Sequence, residues 1–130
     1  MAKRYLQALI LVSFKLIASQ SSAHELTPTY PQFERSHIDG VYKTTMWMFN
    51  KRKDVEYYEL GVFDSNFGAV PFVSLYRIFP LPFLAHINLD VYVREEDIRN
   101  VTYICTRSKL RSEALKTAII ASRVCSKVKL

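Results

Sequence analysis

The sequence has 130 residues, with 18 lysines and arginines against 12 acidic residues, and its formal net charge is +6. A chain of this length holds one small domain. Two cysteines without a nearby histidine disfavour a zinc site. No cofactor is expected either, because the sequence has no glycine-rich phosphate loop, no metal-spaced cluster and no nucleophile motif of the Gly-x-Ser-x-Gly kind.

The N-terminus has the pattern of a secretory signal peptide. The basic pair Lys3-Arg4 precedes an apolar run over 5–14, and small residues follow as far as Ala23. We therefore predict a signal peptide over 1–23 and a secreted protein. A short membrane anchor is the alternative, but the run is shorter than the roughly 20 residues that span a bilayer. No second run of that length follows, so no membrane attachment is expected after cleavage.

Cleavage after Ala23 would leave residues 24–130 with a net charge of +3, because three of the 18 basic residues and no acid would leave. Residues 24–40 have two prolines and no hydrophobic period, so they are predicted to form an extended N-terminal arm. Residues 41–130 are predicted to form a single domain. Five of its stretches favour β-strands, namely 41–49, 54–63, 69–79, 84–93 and 101–105. In the fourth stretch, alternate residues from Ala85 to Val93 are apolar and should face the core.

The C-terminal stretch predicts a helix that begins after Ser112, a plausible N-cap, and reaches Cys125. Its apolar face would consist of Ala114, Leu115, Ala118, Ile119, Ser122 and Cys125. The predicted fold class is therefore α+β, with a small antiparallel sheet of four to five strands and one C-terminal helix. Export favours a disulfide between Cys105 and Cys125 that staples this helix to the preceding strand. Two buried free thiols are the alternative.

Basic residues concentrate at the C-terminal end. From Cys105 onward there are seven basic residues and one acid, Glu113. Five of the basic residues form a candidate surface for an acidic or phosphate-bearing partner: Arg107, Lys109, Lys116, Arg123 and Lys127. A solvated helix face is the alternative interpretation.

Two shorter patterns also suggest sites. The basic run 51–53 lies near the aromatic residues Trp47, Phe49, Tyr57 and Tyr58, a combination that can bind nucleic acid. The alternative interpretation is a hairpin whose aromatic rings are buried in the core and whose lysines are exposed to solvent. Asn100-Val101-Thr102 matches the acceptor sequence for N-linked glycosylation, so Asn100 is a candidate glycosylation site.

One ordered set of residues suits the cleavage of RNA through its own 2′-hydroxyl. The set is His37, Glu59, Arg77 and His86. A carboxylate or histidine would take the proton, a second histidine would protonate the leaving oxygen, and an arginine would stabilise the phosphorane. The alternative interpretation is that these residues are ordinary surface charges and one solvent-exposed histidine without a catalytic role.

The segment Tyr103-Ile104-Cys105, followed by a helix and Cys125, resembles a motif of ribonuclease-like secreted effectors from powdery mildew fungi. Those proteins are similar in fold to the small guanyl-specific fungal ribonucleases, with one helix packed on a curved antiparallel sheet. The predicted signal peptide, the length of the mature chain and the two cysteines also fit this group.

The resemblance implies a fungal virulence effector of a plant pathogen, which is secreted and is a candidate for delivery into host cells. Effectors of this group generally lack the full catalytic set, so the expected activity is binding to host RNA or to a host protein. An active secreted ribonuclease that uses the four residues named above is one alternative. A small secreted binding protein without a nucleic-acid role is another.

Overall fold

The computed structural model describes residues 23–109 and 121–129, so almost all of the predicted signal peptide and residues 110–120 lie outside it. The described residues form eight strands and one short 3-10 turn over Ile98–Asn100. The strands are β1 (Glu25–Thr27), β2 (Glu34–Arg35), β3 (Val41–Phe49), β4 (Tyr57–Phe63), β5 (Ile78–Pro80), β6 (His86–Arg94), β7 (Tyr103–Lys109) and β8 (Arg123–Lys127).

The strands form two four-stranded antiparallel sheets. In sheet A, β3 is central, with β6 on one side and both β1 and β2 on the other. Sheet B has the order β5-β4-β7-β8. Consecutive strands β3 and β4 belong to different sheets, so residues 50–56 cross between the sheets. The hairpin interpretation of this region is therefore wrong.

The inner faces of the two sheets share one apolar core, and the domain is a β-sandwich. Sheet B contributes Tyr58, Leu60, Val62, Phe79 and Ile104, and sheet A contributes Leu26, Met46, Met48, Leu89, Val91 and Val93. Each fully buried side chain of this size contributes roughly 1.5–3 kcal/mol. The alternation predicted for 84–93 agrees with β6, where Leu89, Val91 and Val93 are buried.

The predicted α+β fold with a C-terminal helix is wrong. Residues 123–127, where that helix was expected to end, form β8 and pair with β7. The only helical segment of the described residues is the 3-10 turn at Ile98–Asn100. The sequence after residue 121 fits a period of two as well as a helical period, because Val124, Ser126 and Val128 alternate with Arg123, Cys125 and Lys127. Pairing with β7 satisfies the backbone of this segment, so the strand forms.

The predicted disulfide between Cys105 and Cys125 is confirmed. The two cysteines lie directly opposite each other in the ladder between β7 and β8. The bond therefore staples two neighbouring strands, whereas the sequence predicted a staple between a strand and a helix.

The segment predicted as an extended arm, 24–40, contributes β1 and β2 to sheet A. Between these strands the chain runs beside β8. The carbonyls of Thr29 and Pro31 accept hydrogen bonds from the N–H groups of Lys127 and Lys129 at 3.2 and 2.9 Å. The N-terminal segment therefore covers the outer edge of β8 and joins the two sheets along one side.

A buried histidine anchors the start of this segment. His24 is only 3% exposed, and its Nε2 lies 2.7 Å from the hydroxyl of Thr106 and 3.1 Å from the carbonyl of the same residue. Its ring meets the ring of Tyr58 edge-on at 4.7 Å. Burial lowers the pKa of His24 from 6.5 to about 4, so the ring is neutral at neutral pH.

Candidate binding face on sheet B

The outward side chains of sheet B form a continuous surface, which we call face B. The inward residues of each strand belong to the core, so the alternate residues point to the other side. Face B consists of Tyr57, Glu59 and Phe63 on β4, Ile78 on β5, Tyr103, Arg107 and Lys109 on β7, and Arg123 and Lys127 on β8. Four of these residues are basic and one is acidic.

Two basic neighbours balance the negative charge of the acidic residue, Glu59. Lys109 Nζ lies 2.9 Å from Glu59 Oε2, and Arg107 Nη2 lies 3.4 Å from Glu59 Oε1. The hydrogen bond from Lys109 and the two positive charges lower the pKa of Glu59. Glu59 is therefore ionised at neutral pH, and face B keeps a positive excess toward β8, where Arg123 and Lys127 are exposed.

Three aromatic rings lie beside these charges. The rings of Phe67 and Tyr103 stack with centroids 4.7 Å apart and planes 2° from parallel, and Phe63 lies 6.2 Å from Phe67. The guanidinium of Arg123 lies 5.4 Å from the centroid of Phe63 and 6.0 Å from that of Phe67. These distances are within cation–π range, so Arg123 and the rings form one cluster.

The ring of Phe63 folds back over Gly61. A Cβ at residue 61 would lie 2.7 Å from two carbons of that ring, which is closer than side-chain packing permits. Glycine at this position therefore lets the ring approach the backbone of sheet B. The cross-strand neighbour of Gly61 is Cys105, so the ring lies next to the disulfide.

Phe67 is presented by a tight and strained turn. Its φ is +58°, in the left-handed region that bulky residues avoid, at a cost of roughly 1–3 kcal/mol. The Asp64 carboxylate maintains the turn by accepting hydrogen bonds from the N–H groups of Asn66 and Gly68, each at 2.8 Å. Phe67 is 48% exposed despite this cost. Strained and exposed residues of this kind are concentrated at ligand-binding sites.

The structure brings together four of the five basic residues selected from the sequence. Arg107, Lys109, Arg123 and Lys127 all lie on face B, and Arg107 is directly opposite Arg123. Lys116 lies outside the described residues. The sequence prediction placed Arg123 and Lys127 on a helix and Arg107 and Lys109 before it, whereas alternate positions on two strands gather all four on one side.

The aromatic residues Phe63, Phe67 and Tyr103 were missed as site residues. Tyr103 lies four residues before Arg107, so a strand period of two places both on the same side. This spacing could have identified Tyr103 as a site residue. Phe63 and Phe67 come from β4 and from the turn after it, so their proximity to Arg123 depends on the tertiary structure.

The structure does not gather the four residues selected for RNA cleavage. Glu59 is on face B, and it lines a shallow cleft together with Arg77, whose Nη2 donates to the carbonyl of Phe72 at 2.7 Å. His86 lies on the outer side of sheet A, with its ring 5.8 Å from that of Trp47. His37 lies in the exposed loop between β2 and β3. Because the sheets pack back to back, Glu59 and His86 point in opposite directions and do not converge on one phosphate.

The aromatic residues near the basic run 51–53 are also dispersed. Tyr58 is fully buried in the core, Trp47 lies on the outer side of sheet A, and Tyr57 belongs to face B. Arg52 donates from Nε to Asp54 at 2.9 Å, which is the largest cause of the lowered pKa of Asp54. This region therefore does not form a single aromatic and basic site.

Asn100 is exposed and ends the 3-10 turn, and its glycosylation stays a prediction.

Within residues 23–109 and 121–129, no group of three or more histidine, cysteine or acidic side chains is arranged to hold a metal ion. The same residues include no helix that is long and apolar enough to cross a membrane.

The two sheets and their shared core define the class of the domain as an antiparallel two-sheet β-sandwich. The chain is similar to the Escherichia coli chaperone DraB, with a TM-score of 0.60 and 15% identity over 82% of this chain and 53% of that chain. It therefore spans about half the length of DraB. A FixG-related protein from Vibrio parahaemolyticus aligns with a TM-score of 0.40 and 17% identity over 83% of this chain and 96% of that chain. No family model and no curated protein matches the sequence. The likeness to DraB shows the fold alone.

Proposed function

We propose that this chain is a secreted, non-catalytic effector domain that binds single-stranded RNA of a host on face B. The signal-peptide pattern supports export. The host-directed role rests on the resemblance around Tyr103-Ile104-Cys105 and Cys125, although Cys125 lies in β8 and not on a helix. The clustering of arginines, lysines and aromatic rings on one side of sheet B supports RNA binding, and this is the observation that carries the proposal.

The charges and rings of face B suit the two parts of a single strand. Arginine and lysine side chains neutralise phosphates and release counterions, which makes binding strongly dependent on salt. Aromatic rings stack on exposed bases, and each such contact contributes roughly 1–3 kcal/mol. Phe67 is half-exposed beside Arg123, so a base stacked on its ring would place its phosphate within reach of the guanidinium. An open surface of this kind can bind a single strand of RNA without a deep pocket.

The absence of convergence between Glu59 and His86 supports binding without cleavage. General acid–base cleavage requires both groups within hydrogen-bonding reach of the same phosphate. These two residues lie on opposite outer faces of the sandwich.

Fluorescence anisotropy with labelled single-stranded RNA tests the proposal. We expect Arg123→Glu to weaken binding about tenfold or more, which corresponds to about 1.4 kcal/mol, because it reverses a charge beside the rings. Arg35→Glu is the matched control, since it reverses an exposed charge on β2 of sheet A and should leave affinity unchanged. The slope of log affinity against log salt should also become shallower in Arg123→Glu only.

Three results would contradict the proposal. Equal losses from Arg123→Glu and Arg35→Glu would indicate attraction to overall charge and not to face B. Binding of polyglutamate without binding of RNA would indicate an acidic protein partner. RNA cleavage that disappears in His86→Ala would indicate the ribonuclease alternative.

A further inference from the structure

Among the residues that the structure describes, no strand pairs with the outer edge of β6 over residues 86–90. Within residues 23–109 and 121–129, only Val73 pairs with this edge, and it does so at Tyr92, where the two residues exchange N–H to carbonyl hydrogen bonds of 2.9 Å. Backbone groups alternate in direction along a strand. The N–H and carbonyl groups of His86, Asn88 and Asp90 therefore point the same way as those of Tyr92, away from β3.

Exposed apolar side chains lie at both ends of this open edge. Leu84, just before β6, is 59% exposed, and Val73, beside Tyr92, is 70% exposed. An open edge next to apolar surface is a template for adding another strand, and proteins that stay monomeric usually cover or charge such an edge. The edge can therefore accept a partner strand whose ends pack against Leu84 and Val73.

We propose that the partner is a second copy of this chain, and that the two β6 strands pair antiparallel with Asn88 opposite Asn88 of the second copy. This register places His86 opposite Asp90 of the second copy, and the reverse, so a potential donor faces a carboxylate at both symmetric positions. It also brings Leu84 of each copy toward Val73 of the other.

The open edge is therefore complementary to itself, which is the requirement for a two-fold interface. The two four-stranded A sheets would join into one continuous sheet. Face B lies on the other sheet of each copy and stays free, so this proposal does not depend on RNA binding. Only a short stretch of each strand takes part, so the dimer should be weak and in the size range of transient interfaces.

Sedimentation velocity over a wide range of protein concentration tests the dimer. The unmodified chain should shift from monomer to dimer as concentration rises. Asn88→Pro should stay monomeric, because proline removes an N–H that the monomer does not use, and edge positions of this kind tolerate proline. Asn88→Thr is the matched control, since it changes the side chain but keeps the N–H, and it should dimerise like the unmodified chain.

A cysteine on the proposed two-fold axis provides a second measurement that does not depend on how well the proline variant folds. Opposite residues of a hydrogen-bonded pair have Cα atoms about 5.5 Å apart, which suits a disulfide. Mild oxidation should therefore give a covalent dimer of Asn88→Cys. Thr45→Cys should stay monomeric, because Thr45 is exposed on the same outer side of sheet A as Asn88 but lies on the central strand β3, away from the open edge. A chain that is monomeric at every concentration, or equal cross-linking of the two cysteine variants, would overturn the proposal.

Discussion

Asn50 shows how much of this fold depends on one buried polar residue. Its side-chain N–H₂ donates to the carbonyls of Val55 and Leu81, each at 2.8 Å. Its side-chain carbonyl accepts from the hydroxyl of Tyr58 at 2.6 Å and from the N–H of Arg52 at 2.8 Å. These bonds fix the crossing between the two sheets. An amide with all these partners costs little to bury, whereas removal of one partner would cost roughly 1–3 kcal/mol.

At the same scale, His24 predicts a dependence of stability on pH. Its pKa is 6.5 when exposed and about 4 in the folded chain, chiefly because burial disfavours the charged form. The unfolded chain therefore binds more protons between these two values, and stability falls as pH decreases through this window. Urea unfolding should give a free energy of unfolding roughly 2 kcal/mol lower at about pH 5 than at about pH 7.5.

The matched variant for this effect is His24→Gln, which cannot titrate. Its stability should change little over the same range of pH. Asp54 and Glu59, whose pKa values are lowered by hydrogen bonds from Arg52 and Lys109, contribute stability that is lost only at lower pH. An equal loss of stability near pH 5 in both proteins would contradict the role assigned to His24.

At the scale of elements, β8 is a strand that the sequence patterns predicted as the end of a helix. The helical prediction drew on apolar residues between 114 and 119, which lie outside the described residues. Within 121–129, strand and helix patterns coincide over a few residues, so local sequence cannot separate them. The decisive contacts are the ladder with β7 on one side and, on the other, the hydrogen bonds that the N–H groups of Lys127 and Lys129 donate to the carbonyls of Thr29 and Pro31.

The disulfide should stabilise β8 more than the other strands. It joins cysteines 20 residues apart in the sequence, and closing a loop of this length contributes roughly 3 kcal/mol to the free energy of unfolding. We expect the double variant Cys105→Ala with Cys125→Ala to lose about that amount in urea unfolding. Hydrogen exchange should accelerate in β8 more than in β3 and β6, which lie in the other sheet.

Because β8 carries Arg123 and Lys127, the same double variant should also bind RNA more weakly. Thr45→Ala is a suitable control, since it alters an exposed position on sheet A that is remote from the disulfide. Unfolding of the double variant at the same urea concentration as the unmodified chain would show that the strand pairing alone holds β8 in place.

At the scale of the whole molecule, the back-to-back sheets separate the two proposed surfaces. Face B belongs to sheet B, whereas the open edge of β6 belongs to sheet A. Asn88→Pro should therefore leave the RNA affinity of each protomer unchanged in dilute solution, and Arg123→Glu should leave the sedimentation of concentrated protein unchanged. Anisotropy and sedimentation on the two variants and their combination check this independence. A combined variant whose losses are not additive would show that the surfaces are coupled.

The sequence by itself determined the features that depend on local pattern and on composition. The alternation over 84–93 identified the buried side of β6, because a strand exposes alternate residues to opposite faces. With two cysteines in the chain, an intramolecular disulfide had one pairing available. The basic C-terminal end was also evident, and strand and helix periods alike place Arg123 and Lys127 on one side.

Only the tertiary structure decided which elements are neighbours. Contacts such as His24 with Thr106 join residues 82 positions apart, and a period of two does not identify the strand that lies alongside. The same long-range pairing made residues 123–127 a strand where the end of a helix was expected, placed Phe63 and Phe67 beside Arg123, and separated His86 from Glu59. The energy that selects these arrangements comes from a core shared by both sheets, which no local segment contains.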